Sequence, residues 1–396
     1  MKHKFVGLLL FIFFFTNIQI QSQTSVIYTT GDHISSSLIN RIYQDKSGFI
    51  WIATEYGLNK FDGNRFTLYT HDDNDSTSIC NNYSRVVFED THNNIWIGTV
   101  AGMMKYNCNE NNFSKVPLYI NGKVTTPHIS QIIELQNGEI WAASSNQGLF
   151  RIDTEHNTGE CVKTIHDNKI LKINTLLEDN SGRILIGTEG SGVFIYDTQK
   201  EKLETQPAQE LQNSDVTSII SDANGNTYIG TFTNGLYVYN ENKKSIKKIE
   251  NCGNLPIKSL AFIDGKLYIG TDGFGIKIYK EETKSVQDFY IADSAIDIRD
   301  TKVHSILSDK EGNLWFGIFQ KGVVLIPKKT NPFKFYGGKQ ISSSPIDNGC
   351  VMSILKDSKK NILIGVDSKG LYVLNSNYSL IKHYKPQNGN YWVPNT

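Results

Sequence analysis

The chain has 396 residues, and its 40 lysines and arginines balance its 40 aspartates and glutamates, so the formal net charge is zero. Nucleic-acid-binding proteins normally carry a basic excess, so this balance argues against a nucleic-acid partner. A hydrophobic content of 39% excludes an intrinsically disordered chain, while 32 glycines and 11% aromatic residues fit an all-β fold with many tight turns.

Residues 1–23 have the layout of a secretory signal peptide. A positive start at Lys2 and Lys4 precedes an almost wholly apolar stretch, residues 5–15, and a polar stretch that ends at Gln23. The apolar run is shorter than the about 20 residues that a permanent membrane-spanning helix needs. We therefore expect export, cleavage close to Gln23, and no membrane span in the chain that remains.

Beyond this segment, one sequence unit recurs eight times. It consists of an apolar strand, an Asp-x-x-Gly turn, a strand that ends in a sequence such as Ile-Gly-Thr, and a glycine that opens a third apolar strand. The first copy covers Ile39 to Phe61, and a more variable fourth strand follows at Arg65 to Tyr69. The large residue within the second strand recurs every 40 to 48 residues, at Trp51, Trp96, Trp141, Leu185, Tyr228, Tyr268, Trp315 and Leu363. Such a period is typical of propellers and of helical arrays.

The composition of the strands decides between these two architectures. Ile95 to Val100 and Leu236 to Tyr239 are rich in β-branched and aromatic residues, and helical periodicity is absent. Four antiparallel strands per unit are the blade of a β-propeller. The sequence therefore predicts an all-β fold, a seven-bladed β-propeller of four-stranded antiparallel blades plus one further blade.

The recurring residues of the unit have local structural explanations. In turns such as Asp45 to Gly48, the carboxylate can accept hydrogen bonds from its own turn, and the glycine can adopt a positive φ. A Ca²⁺ site is the alternative, but each aspartate stands almost alone, so we predict no metal and no cofactor. Strand glycines such as Gly98 should allow neighbouring blades to approach closely. The large residue of the second strand should fill the space between blades rather than stack on a sugar.

Eight repeats can form one eight-bladed ring, or seven blades with a remainder. The strand-like segment Ser25 to Thr30 precedes the first repeat and could close a seven-bladed ring as the outer strand of its last blade, which removes unpaired strand edges. Residues 331–344 also repeat the pattern of residues 27–37, so the chain begins again there. We assign residues 24–330 to a seven-bladed propeller and residues 331–396 to the first blade of an incomplete second propeller. An eighth blade within the ring is the alternative.

Sequence motifs for catalysis are absent. The nine histidines are scattered without metal-binding spacing, and neither a nucleophile elbow nor a phosphate-binding loop is present. His304 falls in the predicted innermost strand of blade 7, where it could face the channel and act as the general base of a lyase. A structural role is the more common one for a single histidine in a strand, so we predict no catalytic residue.

The loops between second and third strands are the expected place for a ligand. In a propeller they rise on one face around the channel, and loops on a rigid scaffold commonly carry function. Aromatic, amide and carboxylate side chains there suit the stacking of sugars and hydrogen bonding to their hydroxyls. The candidate ligand-binding residues are Tyr56, Asn146, Glu189, Phe232, Asn234, Asp272, Phe274 and Gln320.

The unit resembles the two-component regulator propeller repeat. The segment Asn40 to Gly63, with Gly-Phe-Ile-Trp-Ile at Gly48 to Ile52 and the following Gly57-Leu58, is similar to the opening blade of the periplasmic sensors of hybrid two-component systems. The resemblance covers nearly the whole mature chain. It implies full-length proteins with two seven-bladed propellers, a small β-sandwich, a membrane helix, a histidine kinase, receiver domains and a DNA-binding domain, which sense oligosaccharides from complex glycans.

From this resemblance we expect a periplasmic ligand-recognition or dimerisation module of such a sensor, truncated before its membrane helix and kinase. The resemblance implies an oligosaccharide ligand, a homodimer, and no enzymatic activity of this chain by itself. Two alternatives stay open. One is a standalone secreted propeller that binds a glycan or a protein, and the other is a propeller lyase or hydrolase that uses His304.

Overall fold

The computed structural model describes residues 25–204, 209–240, 245–291, 297–328, 345–347 and 349–386. The predicted signal peptide and the repeated opening segment at residues 331–344 lie outside these ranges. The described strands form eight blades, and within each blade the strands pair antiparallel with their neighbours in the sheet.

Blades 1 to 4 each run from an inner to an outer strand in chain order. Blade 1 comprises Ile39–Gln44, Ile50–Thr54, Gly57–Phe61 and Phe66–Tyr69. Blade 2 comprises Ser84–Glu89, Ile95–Thr99, Gly102–Asn107 and Asn112–Val116. Blade 3 comprises Ile129–Glu134, Ile140–Ser144, Gly148–Asp153 and Thr158–Val162. Blade 4 comprises Ile173–Glu178, Ile184–Thr188, Val193–Asp197 and Lys202–Glu204.

Blades 5 and 6 follow the same order, whereas blade 7 takes its outer strand from the start of the chain. Blade 5 comprises Val216–Ser221, Asn226–Thr231, Leu236–Asn240 and Ser245–Lys248. Blade 6 comprises Ile257–Ile263, Lys266–Thr271, Ile276–Lys280 and Ser285–Asp288. Blade 7 comprises Val303–Ser308, Leu314–Ile318, Gly322–Ile326 and Val26–Tyr28. The eighth blade comprises Val351–Lys356, Ile362–Val366, Gly370–Leu374 and Leu380–Tyr384.

Short elements decorate this frame. A hairpin of Leu118–Ile120 and Lys123–Thr125 extends blade 3 beyond its outer strand. Ile165–His166 pairs with Lys169–Ile170 in a second, separate hairpin. Single 3₁₀ turns occur at Thr30–Asp32, Gln209–Leu211 and Glu250–Cys252.

The ring closes between blades 7 and 1. Val26–Tyr28 pairs antiparallel with the third strand of blade 7, with Tyr28 opposite Val323. The Tyr28 ring also lies 6.1 Å from that of Trp315 and 5.3 Å from that of Phe66 in blade 1. Closure by the N-terminal strand is therefore confirmed. Because the inner strands of blades 7 and 1 pack against each other, the alternative of an eight-bladed ring is wrong.

The core lies between neighbouring blades, as the strand glycines predict. A Cβ atom at Gly98 of blade 2 would lie 2.5 Å from Ile129 Cγ2 of blade 3, and one at Gly187 of blade 4 would lie 2.6 Å from Val216 Cγ1 of blade 5. The large second-strand residues of the ring are buried, Trp51 and Trp96 completely. They fill the space between blades and are not exposed platforms for a sugar.

The aspartate of the turn has two functions in several blades. Asp45 accepts a hydrogen bond from the backbone nitrogen of Phe49 at 2.9 Å, which confirms the predicted turn. Its second oxygen accepts the indole N–H of Trp51 at 2.8 Å, a contact that the sequence did not predict. Trp96 and Trp315 make the same bond in blades 2 and 7. The buried tryptophan is thereby fully hydrogen-bonded.

Candidate functional site

The loops between second and third strands lie beside the opening of the central channel. The first residue of each such loop donates its backbone N–H to a carbonyl just before the inner strand of the same blade. For example, the N–H of Glu55 donates to the carbonyl of Leu38 at 3.2 Å. Glu189 donates in the same way to Lys172, and Phe319 to Lys302, both at 2.9 Å. We call this side of the ring, where the inner strands begin, the upper face.

All eight candidate residues lie in loops of the upper face. The exposed ones are Tyr56, Asn146, Glu189, Phe274 and Gln320, and the half-buried ones are Phe232, Asn234 and Asp272. Their surroundings separate them into three kinds. Some hold the loops in shape, some form a shared cluster, and some project into solvent.

The two asparagines hold loops in shape. Asn146 Oδ1 accepts hydrogen bonds from the backbone of His128 at 2.9 Å and from the Ser144 hydroxyl at 2.7 Å. The Asn234 amide donates to the Ser214 hydroxyl at 2.9 Å. Since these bonds connect each loop to neighbouring segments, both side chains have structural partners as well as access to solvent.

Phe232 and Asp272 come together through Lys258, which the sequence did not single out. The Lys258 ammonium lies 4.5 Å from the centre of the Phe232 ring and 3.9 Å from the Asp272 carboxylate. The same carboxylate bonds Lys302 at 2.9 Å. This cluster joins blades 5, 6 and 7, and its two ammonium groups share one carboxylate.

The remaining candidates stay apart from this cluster. Tyr56 and Phe274 are 63% and 51% exposed, so both rings are available to a ligand. Glu189 forms an ion pair with Lys172 at 3.0 Å, and Gln320 has a φ of 66° at the tip of its loop.

His304 has the surroundings of a structural residue. It is the second residue of its inner strand, the place of a β-bulge, and a bulge redirects a side chain. At the same position, Asn40 and Asn174 donate to carbonyls of the next blade, at 2.8 and 3.1 Å.

The ring of His304 lies near the backbone of Ile39 in blade 1 and 4.7 Å from the ring of Phe319. Burial, together with the positive charge of Lys258, lowers its pKa to about 4. The imidazole is therefore neutral and weakly basic near pH 7. This weak basicity argues for the structural interpretation over a general base.

Basic residues of the inner strands are the main feature that sequence reasoning missed. Arg41 is the third residue of its inner strand. Arg85 and Lys258 are second residues, a position at which blades 1, 3, 4 and 5 carry Asn, Ser or Thr. The Arg85 guanidinium donates to the Ser145 hydroxyl at 2.8 Å. Alignment of the repeats position by position would have revealed these departures, but lysines and arginines are usually interpreted as solvated surface.

The described ranges contain no group of three or more His, Cys, Asp or Glu side chains placed to hold a metal ion. They also contain no helix with the length and apolar character needed to cross a membrane.

Sequence comparison identifies relatives of the repeat. The profile described as Two component regulator propeller matches residues 33–56 and 297–320, which are equivalent stretches of blades 1 and 7. A stretch of 75 residues is 40% identical to Histidine kinase P4 of Formosa agariphila, which corresponds to 18% of this chain and 6% of that protein.

Solved structures share the fold over most of the chain. The extracellular domain of a protein described as hybrid two component system BT3049, from B. thetaiotaomicron, superposes with a TM-score of 0.68 and 26% identity, over 92% of this chain and 49% of that one. The corresponding domain of BT4673 from the same organism gives a TM-score of 0.63 at 22% identity, over 93% and 48%.

A more distant likeness is PorZ, a surface component of the type-IX secretion system of Porphyromonas gingivalis. It gives a TM-score of 0.57 at 12% identity, over 88% of this chain and 54% of that one, and this likeness shows the fold alone. The chain thus spans about half the length of the solved structures that it matches.

Proposed function

We propose that this chain, two of whose blades match the two-component regulator propeller profile, forms the ligand-recognition propeller of an exported two-component sensor. Its fold is similar to that of an extracellular domain of a hybrid two-component system. The observation that carries the proposal is the likeness to the BT3049 domain over 92% of the chain. We place the protein in the periplasm, because residues 1–23 have the layout of an export signal.

The eighth blade supports a continuation into a second ring. Val351 and Ile354 of its inner strand are 44% and 68% exposed, whereas Ile39 and Ile42, at the same positions of blade 1, are 0% and 3% exposed. Side chains of this kind are buried when a neighbouring blade packs on them. We therefore propose that residues 331–396 are the first blade of a second propeller.

The DNA that follows codon 396 tests the sensor proposal. A continuation into further propeller repeats, a membrane helix and a histidine kinase is the expected result. A stop codon, with no such reading frame nearby, would favour a standalone secreted propeller instead.

For the ligand, we propose an oligosaccharide bound at the upper face. Tyr56 and Phe274 present exposed rings, and amide and carboxylate groups lie in the same set of loops. Aromatic rings beside hydrogen-bonding groups suit the apolar faces and hydroxyls of sugars.

Thermal unfolding of the purified chain with a panel of plant, algal and host oligosaccharides tests this proposal. A ligand at one hundred times its Kd stabilises the folded state by about 2.7 kcal/mol, which is a measurable rise in Tm. Tyr56→Ala and Phe274→Ala should reduce the rise. Leu68→Ala is the matched control, because it removes an exposed apolar side chain from the outer strand of blade 1. Equal responses of all three variants would contradict binding at the upper face.

A further inference from the structure

Arg41 is a cation in an unusual setting within the ring. Its side chain is accessible to solvent, yet enough protein surrounds it that desolvation lowers its pKa, and no carboxylate contributes to the shift. Among the described residues, no carboxylate forms an ion pair with it within 4.0 Å. Neighbouring blades cover both faces of an inner strand in the closed ring, so an exposed side chain within this strand reaches solvent through the central channel.

Other basic groups lie at the same level of neighbouring blades. Around the ring, blades 6, 7, 1 and 2 are consecutive, and they carry Lys258, Lys302, Arg41 and Arg85 on or next to their inner strands. Burial lowers the pKa of Arg85 as well. Lys258 and Lys302 share the single carboxylate of Asp272. This arc of the channel therefore has fewer described carboxylates than cations.

The opposite arc carries neutral groups at the same positions. Blades 3, 4 and 5 have Ser130, Asn174 and Thr217 as the second residues of their inner strands, and each donates to a carbonyl of the next blade. Lys172, the counterpart of Lys302 on this side, is paired with Glu189. The excess positive charge of the upper channel therefore lies on the arc of blades 6, 7, 1 and 2.

The lower end of the ring carries charges of both signs. The last residues of three inner strands are Glu89, Glu134 and Glu178, and each accepts a hydrogen bond from a backbone amide in the turn of the preceding blade. Lys46 and Lys310 lie in turns at the same end, where their ammonium groups bond backbone carbonyls. An anion would therefore be attracted to the basic arc at the upper end.

We propose that the upper channel binds a small anion, through a carboxylate or sulfate group, on the arc of blades 6, 7, 1 and 2, with Arg41 as the principal ligand. A guanidinium in the channel without a counter-charge can bind an anion, and a carboxylate or sulfate presents two oxygens that accept paired, charge-assisted hydrogen bonds from it. The site does not depend on the proposed signalling role, because it rests on the ring alone.

Isothermal titration of the purified chain in a buffer low in chloride tests the site. The probes are sodium glucuronate and sodium sulfate at matched ionic strength, with glucose as the neutral comparison. We expect at least one anion to bind, and Arg41→Gln to weaken it at least about tenfold. If glucuronate has the lower Kd, the ligand group is a saccharide carboxylate. If sulfate has the lower Kd, the ligand group is a sulfate ester.

Two further variants separate loss of the site from loss of the fold. Arg65→Gln changes an exposed arginine at the lower face of blade 1 and should leave the affinity unchanged. Arg41→Lys keeps the charge and should retain part of the affinity, while circular dichroism reports the fold of every variant. Failure of both anions to bind at 10 mM (about 100-fold above a Kd of about 0.1 mM), or equal affinity in wild type and Arg41→Gln, would overturn the proposal. Binding of glucose together with failure of both anions to bind would overturn this site and leave the oligosaccharide proposal standing.

Discussion

At the scale of single residues, the second position of the inner strand connects neighbouring blades in four places. Asn40, Ser130, Asn174 and Thr217 all donate from this position to the first carbonyl of the next inner strand. The β-bulge there turns the side chain out of the ladder and toward the neighbouring blade. In these four blades the residue type therefore varies while the hydrogen bond is kept.

His304→Asn tests whether His304 is one of these connections. Asparagine serves the same position in blades 1 and 4, so the variant should fold with about wild-type stability at pH 7. The folded pKa of His304 is about 4, whereas an unfolded histidine has a pKa of about 6.5. As the pH falls from about 6.5 to about 4, only the unfolded chain gains this proton, so wild type loses stability over that window.

Urea unfolding at pH 7 and pH 5 measures the difference. Wild type should lose up to about 2 kcal/mol more than His304→Asn between these pH values. His92→Asn, a change of an exposed histidine, should keep the wild-type dependence on pH. If the free energy of unfolding changes equally with pH in wild type and His304→Asn, then His304 does not stay neutral in the folded ring.

At the scale of elements, the distance between blades depends on which residue faces each strand glycine. In blade 2 that glycine is Gly98, and a Cβ there would lie 2.5 Å from Ile129 Cγ2 and 2.6 Å from Val86 Cγ1. Blade 1 has Ala53 at the same position, and the inner strand of blade 2 begins with the smaller Ser84 where blade 3 has Ile129. A larger residue on one blade is thus matched by a smaller one on the next.

Gly98→Ala should therefore destabilise the ring by about 1–3 kcal/mol, the range for overpacking in a well-packed core. The measurement is the free energy of unfolding in urea. Gly31→Ala is the control, because its φ is not positive and a Cβ there would lie 3.4 Å from the Thr29 hydroxyl. A double-mutant cycle is a second test, in which Gly98→Ala should cost less in an Ile129→Ser background than in wild type. If the single variant is as stable as the control, the close approach is not needed.

At the scale of the whole molecule, the ring depends on one short strand from the start of the chain. Val26–Tyr28 completes blade 7, and Tyr28 packs on Trp315 of blade 7 and on Phe61 and Phe66 of blade 1. A closed ring has no unpaired edge at this seam.

Tyr28→Ala should open the seam locally and lower the free energy of unfolding by about 2–3 kcal/mol, less than for a fully buried aromatic side chain because Tyr28 is half-buried. Hydrogen exchange should rise in blades 7 and 1 and stay unchanged in blade 4. Tyr119→Ala, in the hairpin that extends blade 3, is the comparison and should leave blades 7 and 1 protected. A uniform rise across all blades would mean that the ring opens as one unit rather than at the seam.

The candidate site was predictable only in outline. The order of the strands predicted that the loops between second and third strands lie on one face of the ring. All eight chosen residues lie in these loops. Lys258, Lys302 and Arg41 were not chosen, because a basic residue in a single repeat looks like ordinary solvated surface. Their significance comes from neighbours in other blades, such as the Asp272 carboxylate that bonds Lys302.

The sequence alone determined the features that depend on neighbours along the chain. Alternating apolar residues, the Asp-x-x-Gly turns and the repeat period specify strands, hairpins and blades, because each arises within about ten residues. The tertiary structure alone decided which distant residues meet across the ring. Ile42 donates to the Ser305 hydroxyl across 263 residues of sequence, and Arg41 faces a channel that exists only once seven blades have closed. Closure brings together side chains that no local pattern relates, and this is why the fold could be predicted while the charges of its channel could not.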